Sequence, residues 1–484
     1  MARIEKAYAA YDRWGEARKL PRASRIYVNR NLKMSSISAI GFDLDHTLAL
    51  YKGAAIESLA FEETKKKLVE DHGFPEEILN IRYNPRFVIR GLVVDRRYGN
   101  LIKMNGHNYV TRAYHGTGAL PDEDRRRIYS RRRLRISHDA YVPVDTLFHL
   151  PEAYLYQALV DLGERGVRGV TRDQNVLYGQ VRESIDKAHA DGSIKRVVVA
   201  DPETFLQVDR SLAPTFERFR ETGKKLFLLT NSDLAYTDVV LSYVFGTPRR
   251  FDSWRDAFDL VFVEAGKPAF FLEEGTGGIS SGRLGIRRSG AKVLRGGNAA
   301  GLELELGHLG DEVLYFGDHT FGDILRSKKS LGWRTAMVVP ELKRELRVTQ
   351  RISADLNRLA NLNRDLDFLR VERGRLQRGR RRNHRSSGRA GAGRASSDGV
   401  EGKRIHLAEQ WAMQVHKAEA LGEECDRAFN PYWGSLFREG RETSYFGQQV
   451  KGFACIYTSR VSNFIHYPVD HYFQAPGDLM PHEL

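Results

Sequence analysis

Four apolar runs along the chain each end in polar, chemically reactive residues. The first covers residues 37–42 and leads into a turn with two aspartates, and the others lie within 224–232, 258–268 and 311–325. Short runs without polar alternation are typical of buried parallel strands, because helices cover both faces of such sheets. Ligands bind at the carboxyl edge of these sheets, which is where the polar residues would lie. The pattern therefore predicts an open parallel α/β sheet with a site at that edge.

Helical spacing of apolar residues fills the intervals between these runs. Residues 214–222 and 233–245 have the spacing of crossover helices. The first two runs, however, are separated by about 180 residues, far more than one crossover requires. We therefore predict a large domain inserted after the first strand, in which residues 151–162 and 180–190 form helices.

The last third of the chain changes character twice. After Pro340 apolar residues recur at helical spacing, which predicts a long amphipathic helix. An Arg/Gly/Ser-rich stretch follows, which we expect to be a disordered linker, and then an aromatic, structured region. The predicted divisions are 1–52 (N-terminal arm and first part of the core), 53–200 (insertion), 201–345 (remainder of the core), 346–373 (long helix), 374–400 (linker) and 401–484 (C-terminal region that packs on the core or mediates oligomerisation).

Positive charge is concentrated in one stretch. The 484 residues carry 76 Lys and Arg against 62 Asp and Glu, a net charge of +14, but residues 370–394 alone contain ten Arg and one Glu. Without this stretch the balance is ordinary, so a basic surface over the whole protein is not predicted. The stretch contains no aromatic side chain for base stacking, which argues against a nucleic-acid partner and favours a disordered surface insertion.

Cysteine usage and the N-terminus indicate the compartment. Cys425 and Cys455 are the two cysteines, which excludes a disulfide framework and favours a reducing environment. The first residues contain acids and no apolar run, and no stretch approaches the ~18 apolar residues of a membrane span. We therefore expect a cytoplasmic protein without a membrane partner.

The first apolar run ends in Asp43-Leu-Asp45-His-Thr47, which is the central chemical signal. Both carboxylates leave the same strand end two residues apart. One can bind a metal and attack phosphorus while the other handles a proton. The alternative is a pair of strand-end acids that form caps or salt bridges.

The other strand ends supply the remaining groups that phosphoryl transfer needs. Thr230 can donate to a phosphoryl oxygen, and Lys267 can neutralise its charge. Asp318 and Asp323 can complete a site of hard oxygen ligands, which Mg²⁺ prefers. Alternatively, the two aspartates can cap the helix that begins near Phe321, and Lys267 can be a solvated loop residue.

These motifs, in this order, resemble phosphatases of the haloacid dehalogenase (HAD) superfamily. From about residue 28 to the C-terminus, apart from the linker, the chain is similar to the cytosolic IMP/GMP-specific purine 5′-nucleotidase family, in motifs such as IGFDLDHTLALYK, TLFHLPE, LLTNSDLAYTD, GKPAFF and YFGDHTFGDILRSKKSLGWRT. The resemblance implies a Rossmann-like core with a cap that sets substrate specificity. It also implies Mg²⁺-dependent hydrolysis of purine nucleoside 5′-monophosphates, nucleoside phosphotransferase activity and a homo-oligomer, dimeric or tetrameric.

The resemblance also assigns roles in the core. Asp43 would be the nucleophile that forms an aspartyl-phosphate, and Asp45 the general acid and then the base. Asp43, the Asp45 backbone carbonyl and Asp318 would hold Mg²⁺, with Asp323 completing the site. The residues that it assigns to the phosphoryl group or elsewhere on the substrate are Thr47, Thr230, Asn231, Ser232 and Lys267.

In the cap, Phe148 matches an aromatic residue that stacks on the purine, and an aromatic face suits a planar base. Arg182, Asp186, His189 and Lys195 match positions that contact the nucleotide. Ordinary alternatives remain open for several of them. Phe148 can be a hydrophobic staple, His189 a core or surface histidine, and Arg182 and Lys195 surface charges.

Two positions in the cap depart from the family pattern. His149, also assigned to the substrate, stands where the family has Asn, and Ala190 stands where it has an aromatic residue. The preference for 6-oxopurines is therefore left open. Phe321 and Lys329 match positions that contact a nucleotide effector in the family, which suggests an allosteric site.

Overall fold

The structure, a computed structural model, describes residues 20–129, 134–246, 251–272, 290–386 and 394–476. The chain divides into two compact units. The larger comprises Met1–Lys343 and Leu436–Leu484, and the smaller comprises Arg344–Ser435. Parts of the predicted N-terminal arm and of the predicted linker lie outside the described residues, at 1–19 and 387–393.

A central sheet forms the core of the larger unit. The strands of this unit are β1 (Tyr27–Val28), β2 (Leu32–Lys33), β3 (Ala39–Phe42), β4 (Val93–Asp95), β5 (Asn100–Met104), β6 (Val110–His115), β7 (Gly118–Ala119), β8 (Tyr141–Pro143), β9 (Lys225–Leu229), β10 (Leu260–Val263), β11 (Lys292–Arg295), β12 (Val313–Gly317), β13 (Arg334–Val338), β14 (Arg438–Glu439), β15 (Glu442–Thr443), β16 (Ile456–Thr458) and β17 (Tyr472–Phe473). Eight of them form the central sheet in the order β1-β16-β13-β12-β3-β9-β10-β11. Its pairs are parallel except β1 with β16. The predicted α/β fold with a mainly parallel sheet is confirmed, and the four predicted strands are β3, β9, β10 and β12.

The α-helices, in chain order, are α1 (Gly53–His72), α2 (Asp122–Tyr129), α3 (His149–Glu164), α4 (Gln174–Ala190), α5 (Ser193–Ala200), α6 (Pro202–Phe205), α7 (Leu212–Glu221), α8 (Leu234–Phe245), α9 (Ala299–Leu306), α10 (Arg326–Leu331), α11 (Leu342–Arg351), α12 (Ser353–Ser386), α13 (Arg394–Phe429) and α14 (Tyr445–Phe453). The predicted crossover helices correspond to α7 and α8. A carboxylate caps α8, because the Asp233 side chain accepts the backbone N–H of Tyr236 at 2.8 Å. Within the described residues, no helix is long and apolar enough to cross a membrane.

The insertion between β3 and β9 contains α1 to α6 and a second sheet. The two predicted helices are α3 and α4, and the antiparallel sheet has the order β7-β6-β5-β4-β8. The sequence did not predict this sheet, because β5 is buried at every position and shows no alternation. Its polar residues are paired instead: Lys103 lies 2.7 Å from Glu439, and Asn100 donates to the Tyr129 hydroxyl at 2.9 Å.

Apolar side chains cover both faces of the central sheet. Phe42 packs against Phe216 and Phe316 on one face, with ring centroids 4.6 and 5.1 Å apart. Gly41, on the opposite face of β3, leaves room for the Phe227 ring, since a Cβ at this position would lie 2.1 Å from the ring. The packing fixes the register of β3 and therefore the position of the residues that follow it.

The smaller unit corrects the predicted domain boundaries. The long helix does not end at residue 373, because α12 continues to Ser386. The predicted linker is helical over 374–386 and again from Arg394, where α13 begins. Arg is a good helix former, so low complexity alone did not indicate disorder. The predicted 401–484 region is also divided: its first part lies in α13, whereas residues from Leu436 belong to the larger unit and supply β16 to the central sheet.

Candidate active site

Asp43 and Asp45 lie directly beyond the carboxyl end of β3. The Asp43 backbone N–H donates to the Phe316 carbonyl at 2.9 Å, which continues the ladder with β12. The Asp45 carboxylate accepts two hydroxyl hydrogen bonds, from Tyr51 at 2.6 Å and from Ser232 at 3.0 Å. His46 has a φ of 56°, so the chain turns sharply between the two aspartates and the segment that follows. The turn gives the two carboxylates different surroundings.

Lys267 lies between two carboxylates of the site. Its ammonium is 2.8 Å from Asp43 Oδ1 and 2.7 Å from Asp323 Oδ1, and it donates to the Tyr315 hydroxyl at 3.0 Å. The side-chain amide of Asn231 holds the lysine backbone, accepting its N–H at 2.7 Å and donating to its carbonyl at 3.0 Å. These contacts exclude the interpretation of Lys267 as a solvated loop residue. Asn231, predicted to contact the phosphoryl group, positions Lys267 here.

Three buried aspartates form a group that could hold a metal ion. Asp43, Asp318 and Asp323 each offer one carboxylate oxygen, and these oxygens lie within 4.8 Å of one another. Asp318 Oδ2 is buried and accepts no hydrogen bond from the described residues. A group of carboxylate oxygens, one of which has no hydrogen-bond partner, fits a hard divalent cation such as Mg²⁺. Within the described residues Asp45 is not part of this group, so its predicted role as a metal ligand would fall to its backbone carbonyl.

Burial controls the protonation of these acids. Burial raises the pKa of Asp43 well above its usual value, although Lys267 opposes the shift. Burial also raises the pKa of Asp318 to about 7, against the opposing effect of the Arg90 guanidinium. Desolvated carboxylates with too few cations favour their neutral forms, so a divalent cation would offset the excess negative charge.

The hydroxyl groups predicted to bind substrate lie on the same edge. Thr230 is fully buried, and its Oγ1 accepts the backbone N–H of Ser232 at 3.0 Å. The Ser232 hydroxyl is committed to Asp45. Thr47 is also buried, and its Oγ1 has no hydrogen-bond partner among the described residues. In this arrangement Thr230 and Ser232 support the loops that carry the acids.

A cavity of about 300 Å³ joins this edge to the insertion. Phe148 and His189 form part of its wall, with ring centroids 5.5 Å apart, and the Phe148 ring also lies 4.6 Å from the His46 ring. Burial lowers the pKa of His189 to about 4, so this wall is uncharged near neutral pH. The cavity is lined by the predicted residues Asp43, Asp45, Phe148, His149, Arg182, Asp186, His189, Asn231, Lys267, Asp318 and Asp323.

Arg182 is held by polar groups of the insertion. It lies 2.9 Å from Asp186 and 3.0 Å from Glu152, and its Nη1 is 2.9 Å from His149 Nε2. Glu152 is buried and also accepts a hydrogen bond from the Tyr178 hydroxyl. These contacts hold the arginine, whose side chain is 39% exposed, at the cavity wall.

Six of the predicted site residues do not line this cavity, namely Thr47, Thr230, Ser232, Lys195, Phe321 and Lys329. Lys195 forms an ion pair with Asp233 at 2.8 Å and lies over the Tyr236 ring. Phe321 is 42% exposed, with the Arg326 guanidinium 4.6 Å from its ring, and Lys329 is exposed on α10. The effector site that Phe321 and Lys329 suggest stays a prediction.

Sequence reasoning missed several groups that support the site. Glu152 contacts the predicted residue Arg182, Tyr51 contacts the predicted residue Asp45, and His319 lies 2.9 Å from Asp145. Burial alone would lower the pKa of His319, but Asp145 raises it to about 9. The position of Glu152, one turn after His149 on α3, was an available signal, because i and i+3 residues share a helix face. The distant Asp145–His319 pair had no local signal.

A parallel α/β core with grouped carboxylates, a lysine and a hydroxyl at its carboxyl edge defines an enzyme of the phosphoryl-transfer class. The model of the 5′ nucleotidase family matches residues 26–484, so the chain belongs to this family and is a hydrolase. It is also similar to a 5′-nucleotidase domain-containing protein of Dictyostelium discoideum. The two are 27% identical over 480 residues, which are 95% of this chain and 74% of that protein.

Two solved structures are similar at low scores. One, described as a predicted phosphoglycolate phosphatase of Haemophilus somnus, has a TM-score of 0.27 and 13% identity, covering 63% of this chain and 86% of that one. The other, described as a HAD-hydrolase of Bacillus subtilis bound to magnesium, has a TM-score of 0.22 and 14% identity, covering 63% and 90%. These scores are too low to bear on the site.

Proposed function

We propose that the protein is a Mg²⁺-dependent 5′-nucleotidase that hydrolyses purine nucleoside 5′-monophosphates, with IMP and GMP preferred. The proposal rests on one observation: the acids of the catalytic edge and the Phe148–His189 wall of the insertion line the same cavity. Its volume of about 300 Å³ is at the lower end for small-molecule sites. A nucleotide places a phosphate and a planar base at opposite ends, which matches this division of polar and aromatic groups.

The reaction would proceed through an aspartyl-phosphate on Asp43. The Asp43 carboxylate attacks phosphorus in line with the ester oxygen, and the adjacent Lys267 ammonium stabilises the charge on the phosphoryl oxygens. Bound Mg²⁺ would supply further charge neutralisation, held by Asp43, Asp318 and Asp323. Burial raises the pKa of Asp45, which suits a group that gives a proton to the leaving nucleoside oxygen. Asp45 then takes a proton from the water that hydrolyses the intermediate.

The cap residues would bind the nucleoside. Phe148 would stack on the purine, and Arg182 and Asp186, which also line the cavity, would meet the base edge or ribose. His149 is bonded to Arg182, so the base preference depends on how this pair presents its hydrogen-bonding groups. Interception of the aspartyl-phosphate by a nucleoside in place of water would give phosphotransferase activity.

Other functions share part of this support. A HAD phosphatase acting on another small ester would use the same core and differ only in the cap. A nucleotide-binding regulatory protein is less favoured, because Asp43, Asp45, Lys267, Asp318 and Asp323 are all present and grouped. We further propose a cytoplasmic homo-oligomer, dimeric or tetrameric, with a role in purine metabolism, a nucleotide effector near Phe321 and Lys329, and no membrane or nucleic-acid partner.

Phosphate release from IMP, GMP, AMP and UMP with Mg²⁺ tests the proposal. Wild type would be compared with Asp43→Asn and with wild type plus a chelator. Highest activity on IMP or GMP, lost in both controls, is the expected result. Metal-dependent activity on non-nucleotide esters alone would retain the core chemistry and reject the nucleotidase. No activity, even with purine nucleotide effectors added, would reject both.

A further inference from the structure

Arg90 carries a charge in the interior of the larger unit, where it is 1% exposed. Its Nε and Nη2 donate to the two carboxylate oxygens of Glu341, at 2.7 and 2.6 Å. The remaining terminal nitrogen, Nη1, donates to the backbone carbonyl of Asp318 at 2.8 Å and lies 3.7 Å from Asp318 Oδ2. The Phe446 ring lies 5.1 Å from the guanidinium carbon. Arg90 therefore links Glu341, through a bidentate contact, to the backbone of Asp318.

Stability alone does not account for this arrangement. A buried ion pair loses hydration on folding, and apolar residues of similar volume are often as stabilising. The guanidinium, however, supplies directional donors in a fixed plane, which a lysine or an apolar residue cannot. Two of these donors fix Arg90 on Glu341, and the third fixes the carbonyl of Asp318. The result is a defined position for the Asp318 backbone.

The position of Asp318 matters because it belongs to the group of three acids. Asp318 Oδ2 faces the guanidinium beyond hydrogen-bond distance and keeps its lone pairs unpaired within the described residues. Groups that orient a metal ligand without binding the metal commonly decide its affinity. Arg90 meets this description, since its direct hydrogen bond is to the carbonyl and leaves the carboxylate oxygens available.

We propose that Arg90, locked by Glu341, is a positioning residue for the metal site, and that the insertion thereby contributes to metal binding. Arg90 lies in the insertion and Glu341 follows β13, so the pair ties the inserted segment to the core beside Asp318. The inference rests on the proposed metal-dependent function. It assigns Arg90 no contact with the substrate.

Mg²⁺ binding to the full chain, measured by calorimetry without substrate, tests this role. Arg90→Lys keeps the positive charge but loses the planar set of donors. Glu341→Gln keeps the side-chain shape but loses the negative charge that pairs with Arg90. Both should weaken Mg²⁺ binding by about 10- to 100-fold. At saturating Mg²⁺ the KM for the nucleotide should be unchanged, and the activity of both variants should recover towards that of wild type.

Lys65→Met is the matched control, because Lys65 is an equally buried cation of the insertion that donates to the Leu79 and Ile81 carbonyls. It should destabilise the fold without changing the Kd for Mg²⁺. Circular dichroism and thermal unfolding show which variants are folded. If Arg90→Lys does not fold, the Mg²⁺ affinity of Glu341→Gln decides the test. If the folded variants bind Mg²⁺ with the affinity of wild type, the positioning role of Arg90 is rejected and the proposed function is not. Wild type that binds no Mg²⁺ would overturn the proposed function as well.

Discussion

The Tyr51 hydroxyl donates to Asp45 Oδ1 at 2.6 Å and so stabilises the ionised form of the proposed general acid. Tyr51→Phe removes this bond, and the pKa of Asp45, which burial already raises, should rise further. Since Asp45 must be protonated to act as an acid, the alkaline limb of the kcat profile should move to higher pH. We expect kcat at neutral pH to fall by about tenfold or less. Initial rates across pH values measure both effects.

Tyr83→Phe is a suitable control for this experiment. Tyr83 is a half-buried tyrosine that donates to a carboxylate, Glu57, at 2.9 Å in the insertion. Its loss should leave the alkaline limb in place. An unchanged limb in Tyr51→Phe would show that Asp45 does not set it.

Lys267→Met should remove most of the activity. The ammonium contacts both Asp43 and Asp323, so its loss leaves two buried carboxylates without their nearest cation. We expect kcat to fall by about 10²- to 10³-fold, as for loss of one preorganised charge in an active site. The metal-free variant should also unfold at a lower temperature, and Mg²⁺ should restore more stability to it than to wild type, because the cation replaces the missing charge. Kinetics and thermal unfolding with and without Mg²⁺ measure these effects.

An exposed lysine provides the comparison. Lys66 forms a surface ion pair with Glu63, and Lys66→Met should change neither activity nor metal-dependent stability. Wild-type rates in a folded Lys267→Met protein would remove the lysine from the mechanism.

The core of the site was predictable because parallel strands bring their carboxyl ends together. Asp43, Lys267 and the Asp318–Asp323 pair are far apart in sequence, but each follows an apolar run, and strand position alone placed them at one edge. The contacts that hold them were not predictable. Arg90 meets Glu341, and Asp145 meets His319, across long sequence separations, and nothing in the local pattern marks such pairs.

Composition misled where propensity and packing decide structure. The Arg-rich stretch after residue 373 was expected to be disordered, but α12 continues through it to Ser386. The sheet of the insertion was missed because Asn100 and Lys103 lie buried within β5, where the sequence shows polar residues and the structure supplies their partners. For the sheet, the deciding interactions lie outside the local sequence window, whereas for the helix the local propensity of Arg outweighed the low complexity.

His46 should make the protein sensitive to acid. Burial lowers the pKa of His46 to about 3, with a further contribution from Arg90. An unfolded histidine binds a proton near its ordinary pKa of about 6.5, whereas His46 in the folded protein stays neutral. The contribution of neutral His46 to the free energy of unfolding is therefore fully present above pH ~6.5. It is lost as the pH falls towards 3, by up to a few kcal/mol. Urea unfolding of wild type and His46→Asn at several pH values measures the difference, since Asn tolerates the left-handed backbone.

The difference in the free energy of unfolding between wild type and His46→Asn should shrink as the pH falls. His107→Asn, at an exposed histidine, should keep the pH dependence of wild type. Parallel stability curves for wild type and His46→Asn would contradict the prediction.

Phe148→Leu separates stacking on a base from a structural role. If the ring stacks on the purine, the variant should raise the KM for IMP by about tenfold, because a stacking contact contributes about 1–3 kcal/mol. The rate with p-nitrophenyl phosphate, which has no purine, should change little. Phe87→Leu is the control, since Phe87 is buried in the insertion against Tyr114 and Tyr154, outside the cavity lining. Equal losses on both substrates would favour the staple interpretation of Phe148.

His149→Asn should increase discrimination between IMP and AMP. His149 Nε2 lies 2.9 Å from Arg182 Nη1, so the ring occupies a donor of the arginine at the cavity wall. The shorter Asn side chain should release this donor for the 6-oxo acceptor of IMP, whereas the 6-amino group of AMP cannot accept it. Since a hydrogen bond to a charged group contributes about 1.5–3 kcal/mol, the ratio of kcat/KM values should rise by about tenfold or more. His72→Asn, on α1, should leave the ratio unchanged. A ratio in His149→Asn equal to that of wild type would show that Arg182 does not read the base.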